Sequence, residues 1–149
     1  MEKKITQISA AETYAVRQPV LRSGKSVESC AFPGDLLPTT RHFGLWADNT
    51  LSAVVTVLQN NLPAFVDSAQ FQIRGMAVLH GCQKHGFGTE LLEFTENYIK
   101  TKGGNLVWFN ARIAALGFYT KSGYLIYGDA FEIAEIGTHY RMFKKLEQP

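Results

Sequence analysis

A glycine-rich turn carries the clearest chemical signal in the sequence. An apolar run ends at Leu79, the turn spans Gln83–Thr89, and a strongly amphipathic segment follows. A helix that begins directly after glycine-rich backbone presents free N–H groups and its positive dipole end to an anion. Gly86 and Gly88 lack the Cβ atoms that would hold a phosphate away, while Lys84 adds a nearby cation. The turn is therefore predicted to cradle a pyrophosphate.

Two common pyrophosphate-binding motifs do not fit this turn. A dinucleotide fingerprint needs a third glycine, and Leu91 stands in its place. A P-loop needs a glycine five residues before a Gly-Lys pair, and the only Gly-Lys-Ser in the chain has Pro19 there. These residues oppose a nucleotide-binding protein, which stays a third hypothesis. The remaining alternative for the glycines is a simple tight turn.

A second motif lies downstream and gives the turn a context. Asn110-Ala111-Arg112 is followed by an alanine, a Phe118-Tyr119 pair and a Lys121-x-Gly123-aromatic sequence. With Gln83-x-x-Gly86-x-Gly88 upstream, this ordered pair of motifs resembles the signatures of the GNAT superfamily of N-acyltransferases. The detailed resemblance covers Gln72 to Tyr124, and the order of elements extends it over the chain.

The resemblance implies an acetyl-CoA cosubstrate, with the strand before the turn pairing with the pantetheine arm and the turn holding the pyrophosphate. The residues expected to contact the cofactor are Met76, Ala77, Val78, Gln83, Lys84, His85, Gly86, Phe87, Gly88, Thr89 and Asn110. Many family members place the cofactor-binding asparagine seven residues before the tyrosine, where this chain has Arg112. The alternative for Asn110 is that it only caps the following helix.

Tyr119 matches the tyrosine that often protonates the departing CoA thiolate in this family. A phenol with a pKa of about 10 is a suitable acid for a thiolate of about 8.5; the alternative is a core aromatic. The family often places its base, a glutamate, on the strand before the turn, where this chain has Gln72 and Arg74. His80 and His139 are the candidate bases, each with a structural alternative.

Arg74 is the candidate substrate-binding residue. Strict alternation along the strand would put it on one face with Gln72, Met76 and Val78. If that face lines a pocket, the guanidinium could clamp a carboxylate or phosphate on the acceptor. The alternative is an ion pair at the edge of the sheet.

The remaining pattern predicts a mixed α/β fold. The resemblance implies a mostly antiparallel sheet of about six to seven strands with helices on both faces, splayed at the acyl-CoA cleft. Pro19 is expected to break or kink the first helix, and residues 22–39 and 128–137 are expected to be loops. Strands are predicted at 4–9, 41–47, 51–59, 70–79, 105–110, 124–127 and 139–144, and helices at 10–18, 86–102 and 112–122.

Composition and charge limit the classes of function and partner that the chain can have. The chain has 149 residues, 46% of them hydrophobic, and a net charge of +2, which predicts one domain over 1–149 and gives no support for nucleic acid or membrane partners. The resemblance implies that this single domain is an acyltransferase domain. Scattered histidines and cysteines predict no metal, and a polar N-terminus predicts a cytoplasmic protein. A homodimer is possible, because such folds often dimerise.

The resemblance implies an N-acetyltransferase that moves an acetyl group from acetyl-CoA to a primary amine by direct attack in a ternary complex. The acceptor would be a small-molecule or peptide amine. The alternative is a CoA-binding regulatory module without competent catalysis, which the missing strand carboxylate favours and Tyr119 opposes.

Overall fold

The computed structural model describes residues 1–147 and contains a seven-stranded sheet with helices on both faces. The strands are β1 (Lys3–Ile8), β2 (Arg41–Ala47), β3 (Thr50–Gln59), β4 (Gln70–Val78), β5 (Leu106–Arg112), β6 (Leu125–Ile133) and β7 (Gly137–Lys145). The helices are α1 (Ala10–Leu21), α2 (Phe87–Thr101) and α3 (Leu116–Lys121), with 3₁₀ turns at Val27–Cys30, His80–Cys82 and Ile113–Ala115. Within the described residues, no helix combines the length and apolar character needed to cross a membrane.

The strand order is β1-β2-β3-β4-β5-β7-β6, and every neighbouring pair is antiparallel except β4 and β5. The predicted mixed, mostly antiparallel sheet is therefore confirmed. The parallel ladder between β4 and β5 contains only the pairs Gln70–Leu106, Phe71–Val107 and Gln72–Trp108. Beyond Gln72 the two strands separate, so the sheet opens at its centre.

A bulge in β4 accompanies this opening. Thr56 of β3 pairs with Arg74, and Val54 of β3 pairs with Ala77. One β3 residue between these pairs therefore faces two β4 residues. Gly75 lies inside the bulge with a φ of +58°, which a side chain rarely adopts. An extra residue in a strand reverses which face the following side chains occupy.

The bulge makes the predicted face of Arg74 wrong. Met76 and Val78 pack with Phe71 and Ile73 against the core on the α2 side of the sheet. Ala77 packs with Val16 of α1 on the opposite side. Because alternation is interrupted at Gly75, Arg74 does not share a face with Met76 and Val78.

Two apolar layers hold the helices on the sheet. Leu91, Leu92 and Ile99 of α2 are fully or almost fully buried against the larger layer, as their helical spacing predicts. Val16 anchors α1 on the smaller layer, where Val54 and Ala77 form part of the opposing surface. The sheet is thus covered on both faces but remains open between β4 and β5.

Two local predictions are wrong. Helix α1 does not break at Pro19 but continues to Leu21, because the packing of Val20 and Leu21 against the sheet offsets the hydrogen bond that the proline cannot donate. The predicted loop at 128–137 is mostly strand, since β6 extends to Ile133 and pairs with β7 on both sides of a bulge between Tyr127 and Phe131. Strand pairing there outweighs the loop-forming tendency of Gly128.

The long segment between α1 and β2 is held by a buried ion pair. The guanidinium of Arg17, which has no exposed surface, donates to both Asp35 carboxylate oxygens at 2.7 and 3.1 Å, to the Cys30 carbonyl and to the Thr56 hydroxyl. The Thr56 hydroxyl also bonds His42 Nδ1 at 2.7 Å, and His42 Nε2 bonds the Asp35 carbonyl. The Asp35 carbonyl can only accept, so the proton of a neutral His42 lies on Nε2 and its Nδ1 accepts from the Thr56 hydroxyl. Burial lowers the pKa of His42, which favours this neutral form.

We expect Asp35→Asn to reduce the free energy of unfolding by about 3–5 kcal/mol, because it leaves the buried Arg17 charge without its counterion. Burial alone would raise the pKa of Asp35, yet hydrogen bonds from Arg17 and Phe32 hold it below its usual value. Urea denaturation at neutral pH measures the loss. Glu28→Gln, in the same segment but exposed, is the control and should change the free energy little; equal effects of the two substitutions would contradict the assigned role of Asp35.

Candidate active site

The opening between β4 and β5 is flanked by two cavities. The turn cavity, about 530 Å³, lies between the end of β4, the glycine turn and α3. The loop cavity, about 380 Å³, lies between the bulged part of β4, β5 and the segment after α1. Met76, Ala115 and Tyr119 line both cavities. The cavities therefore meet at the point where the sheet opens.

The turn cavity contains most of the residues expected to bind a cofactor. Lining residues include Met76, Ala77, Val78, Gln83, Lys84, Gly86, Phe87, Gly88 and Thr89. His85 is not among them: its ring lies over the ring of Phe87, with the centroids 5.7 Å apart. Asn110 is not among them either, because it lines the loop cavity.

The start of α2 presents uncapped backbone to the turn cavity. Its N-cap residue is Gly86, which makes no side-chain cap hydrogen bond, and the first helical bond runs from Glu90 N–H to Gly86 O at 3.0 Å. The N–H groups of Phe87, Gly88 and Thr89 thus precede the first helical bond. Lys84, with a φ of +68°, places a cationic residue in the same wall. This arrangement suits a phosphate-bearing ligand.

The two glycines of the turn are required for different reasons. Gly86 has a φ of +80°, and a Cβ there would meet nothing within 4 Å, so its backbone conformation is the constraint. A Cβ on Gly88 would lie 3.2 Å from Phe118 Cζ and 3.7 Å from Val78 Cγ2. Gly88 therefore allows α2 to approach α3 and the end of β4.

Tyr119 lies where the two cavities meet. Its ring packs on Phe109 with the centroids 4.3 Å apart, and the residue is 8% exposed. Its hydroxyl has no hydrogen-bond partner among the residues that the structure describes. Burial raises the pKa of Tyr119 well above its ordinary value, so the phenol stays protonated at neutral pH. The phenol is a neutral donor available to a ligand.

The helix that carries Tyr119 is fixed from its far end. Lys144 donates to the Ser122 carbonyl and to Glu96, both at 3.0 Å, and Tyr124 donates to the same carboxylate at 2.8 Å. Glu96 is buried on α2, so this bond set joins α2, β7 and the end of α3. The position of Tyr119 therefore depends on more than its own packing.

The two candidate bases lie in different places. His80 is exposed, lines neither cavity, and its Nδ1 lies 3.5 Å from Gln83 Nε2. His139 is buried and lines the loop cavity. Its Nδ1 lies 2.8 Å from the Gly137 carbonyl, which can only accept, so the proton is on Nδ1. Within the described chain Nε2 has no partner, and its lone pair is available to a proton.

Asn110 and Arg74 also line the loop cavity. Asn110 Oδ1 accepts from Arg141 Nε at 3.4 Å, and the 3₁₀ turn that follows β5 has Arg112 as its N-cap with no side-chain cap bond. The capping alternative for Asn110 is therefore wrong. Arg74 donates to the Pro33 carbonyl at 2.7 Å, which ties β4 to the segment after α1 instead of forming an ion pair at the sheet edge.

Some lining residues were not predicted from the sequence. Val20 lines the turn cavity and Leu21 the loop cavity, so the end of α1 contributes to both walls. Ala115 and Phe118 line the turn cavity. Both belong to the second sequence motif, which could have been used to predict them as lining residues. Among residues 1–147, no group of histidine, cysteine, aspartate and glutamate side chains is arranged to hold a metal ion.

Comparison with known proteins agrees with this geometry. Residues 9–124 match the model of the Acetyltransferase (GNAT) family. The chain is 32% identical over 143 residues to YitI, an uncharacterized N-acetyltransferase of Bacillus subtilis strain 168, with 96% of each chain covered.

Solved structures share the fold. A Lactobacillus plantarum protein proposed to be an N-acetyltransferase aligns with a TM-score of 0.79 at 19% identity, covering 99% of this chain and 100% of that one. A Bacillus subtilis acetyltransferase in complex with CoA aligns with a TM-score of 0.68 at 20% identity, covering 98% and 100%. At these identities the likeness concerns the fold.

Gly88→Ala should lower the free energy of unfolding by about 1 kcal/mol, because Phe118 must move to admit the new Cβ. Gly117 is a matched control, since it also stands second in its helix but would place a Cβ in open space. Gly117→Ala should be neutral or slightly stabilising through helix propensity. Urea denaturation of both variants tests this, and equal changes would remove the packing role of Gly88.

Proposed function

The chain belongs to the GNAT family of N-acetyltransferases, and from that premise we propose that it moves an acetyl group from acetyl-CoA to a primary amine by direct attack in a ternary complex. The observation that carries this proposal is the shared wall of the two cavities at Met76, Ala115 and Tyr119. A thioester in the turn cavity and an amine in the loop cavity would meet there. The two cavities lie on one sheet, which supports treating residues 1–149 as a single acyltransferase domain.

The turn cavity would hold acetyl-CoA mainly through backbone. Beyond Gln72 the edge of β4 no longer pairs with β5, so Met76, Ala77 and Val78 can offer peptide groups to the pantetheine arm. The uncapped start of α2 and the cation of Lys84 would bind the pyrophosphate. A Bacillus subtilis acetyltransferase that shares this fold was solved in complex with CoA, which supports CoA as the class of ligand.

The reaction needs little more than placement and two proton transfers. The amine nitrogen forms a bond to the acetyl carbon, the carbon–sulfur bond breaks, and the sulfur departs as a thiolate. Tyr119 donates its phenolic proton to that thiolate. Burial raises the pKa of Tyr119. The same apolar surroundings would also raise the pKa of the CoA thiol, so the phenol can still donate its proton to the thiolate.

His139 is the residue proposed to take the proton from the amine. His139 lines the loop cavity, where the amine would lie, and its Nε2 has no partner among the described residues, whereas His80 is exposed outside both cavities. Asn110 would contact the acceptor rather than the cofactor, because it lines the same cavity as His139.

Two assays test the proposal as a whole. Saturating acetyl-CoA or CoA, at a hundred times the dissociation constant, should stabilise the protein by about 2.7 kcal/mol in a thermal shift, and ATP and NAD should not. Release of free thiol with a panel of amines measures transfer and separates an enzyme from a module that only binds CoA. Equal shifts with ATP, or no shift with either acyl-CoA ligand, would contradict the assigned turn cavity.

Tyr119→Phe should lower kcat by about a hundred-fold, because it removes the proton donor and leaves the ring packing intact. The dissociation constant of CoA, measured by calorimetry, should stay the same. Tyr98→Phe, in the last turn of α2 and outside both cavities, is the control and should leave kcat unchanged. Unaltered turnover of Tyr119→Phe would exclude Tyr119 as the acid.

His139→Gln should lower kcat by about ten-fold to a hundred-fold, because no group would remain to accept the amine proton in the loop cavity. Affinity for CoA should not change, since His139 does not line the turn cavity. His80→Gln is the matched histidine control and is expected to retain turnover. A larger loss for His80→Gln than for His139→Gln would reverse the assignment.

A further inference from the structure

The charge of the loop cavity is entirely of one sign. Its lining contains three arginines, Arg22, Arg74 and Arg112, and no aspartate or glutamate among the described residues. The ion pairs that the structure describes join other partners: Lys3–Glu90, Arg17–Asp35, Lys144–Glu96 and Lys145–Asp67. The positive charge of this cavity is therefore not balanced by an ion pair of its own arginines.

Two of the arginines meet at the end of α1. Arg22 Nη1 and Arg112 Nη2 both donate to the Leu21 carbonyl, at 3.0 and 3.2 Å. Burial and then the charge of Arg22 lower the pKa of Arg112, which reflects two like charges held close together. The partial negative charge at the helix end offsets only part of this repulsion.

Arg74 adds a third guanidinium from the opposite wall. Burial lowers the pKa of Arg74, the charge of Asp35 raises it, and the charge of Arg17 lowers it. The ion-pair partner of Asp35 in the described structure is Arg17, at 2.7 Å, and not Arg74. Arg74 instead donates to the Pro33 carbonyl.

Each of these side chains retains unused donors. A guanidinium carries five N–H donors. Arg22, Arg74 and Arg112 each use one terminal nitrogen for a backbone carbonyl. The backbone bonds hold the guanidinium groups in place, so an anion entering the cavity would find fixed, charge-assisted donors.

We infer that the acceptor is a small-molecule amine that also carries an anionic group, a carboxylate or a phosphate. This inference rests on the proposed function and names the substrate class of the same site. The anion would bind Arg22, Arg74 and Arg112, and the amine would then extend toward the shared wall with Tyr119 and toward His139. A cavity of about 380 Å³ has the size of a small-molecule site. A polycationic amine would be repelled.

The test compares amines that differ only in the anionic group. L-Amino acids are paired with their C-terminal amides, aminoalkyl phosphates with the corresponding amino alcohols, and putrescine is the cationic member. For each, thiol release yields kcat/KM, and calorimetry on the CoA-loaded and the CoA-free protein yields Kd. In at least one series the anionic member should bind and react about ten-fold or more better than its partner. The series that shows the effect distinguishes a carboxylate from a phosphate.

Arginine variants test which side chains cause the preference for anionic over neutral amines. Arg112→Gln should bring the ratio between paired amines close to one while leaving the Kd of CoA unchanged, because Arg112 does not line the turn cavity. Arg41→Gln is the matched control: Arg41 also donates to backbone carbonyls but lies outside the loop cavity, and its variant should keep the ratio. Arg74→Gln gives an independent second test if Arg112→Gln does not fold.

Several results would overturn the inference. These are equal or better binding of the neutral amines or putrescine, binding of none of the anionic amines, and an unchanged ratio in both arginine variants. Failure of the proposed function has a different pattern, with no thermal shift by CoA and no thiol released from any amine. The Kd preference for anionic amines on the CoA-free protein would still decide the inference in that event.

Discussion

The interruption of the β4–β5 ladder is the constraint on which the rest of the structure depends. Parallel pairing ends at Gln72–Trp108, although both strands continue. An unpaired strand edge inside a sheet leaves peptide groups without partners, which is costly unless a ligand or solvent reaches them. The two cavities lie on either side of this opening and share Met76, Ala115 and Tyr119. An intact ladder would satisfy the backbone and remove the meeting point of the cavities.

The opening is stabilised by groups that are themselves buried and polar. Arg17 lies against the bulge, where a Cβ on Gly75 would be 3.0 Å from Arg17 Nε, a nitrogen with no partner among the described residues. The same guanidinium stacks over Phe32, 4.0 Å from its ring centroid, and bonds Asp35. The long segment that closes the loop cavity is thereby tied to α1 and to the sheet. A buried ion pair contributes little net stability but specifies one arrangement strongly, because a charge without its partner is expensive.

Sequence patterns predicted the elements that depend on local periodicity and failed where pairing between distant segments decided the outcome. The amphipathic spacing of α2 and the glycines around its start were sufficient to predict both the helix and the glycine turn that precedes it. Alternation alone could not predict that the side chains after Gly75 change to the other face of the sheet. A glycine inside a strand is, however, a common sign of a bulge. Likewise, β6 extends through Gly128 because β7 supplies its ladder, and no local pattern contains that information.

The same distinction separates the two halves of the site. The turn cavity is formed largely by residues that are close together in the sequence around β4 and α2, so the positions and order of the glycines are enough to predict it. The loop cavity takes its charged residues from the end of α1, from β4 and from β5, which are far apart along the chain. Its chemistry is carried by side chains that meet only in the fold. Because the two cavities share three lining residues, Met76, Ala115 and Tyr119, substitutions at Arg22 or Arg112 would alter the loop cavity without altering the backbone of the turn cavity. One backbone arrangement in the turn cavity is therefore physically compatible with many different side chains in the loop cavity, and our inference about the acceptor follows from the charge of the loop cavity alone.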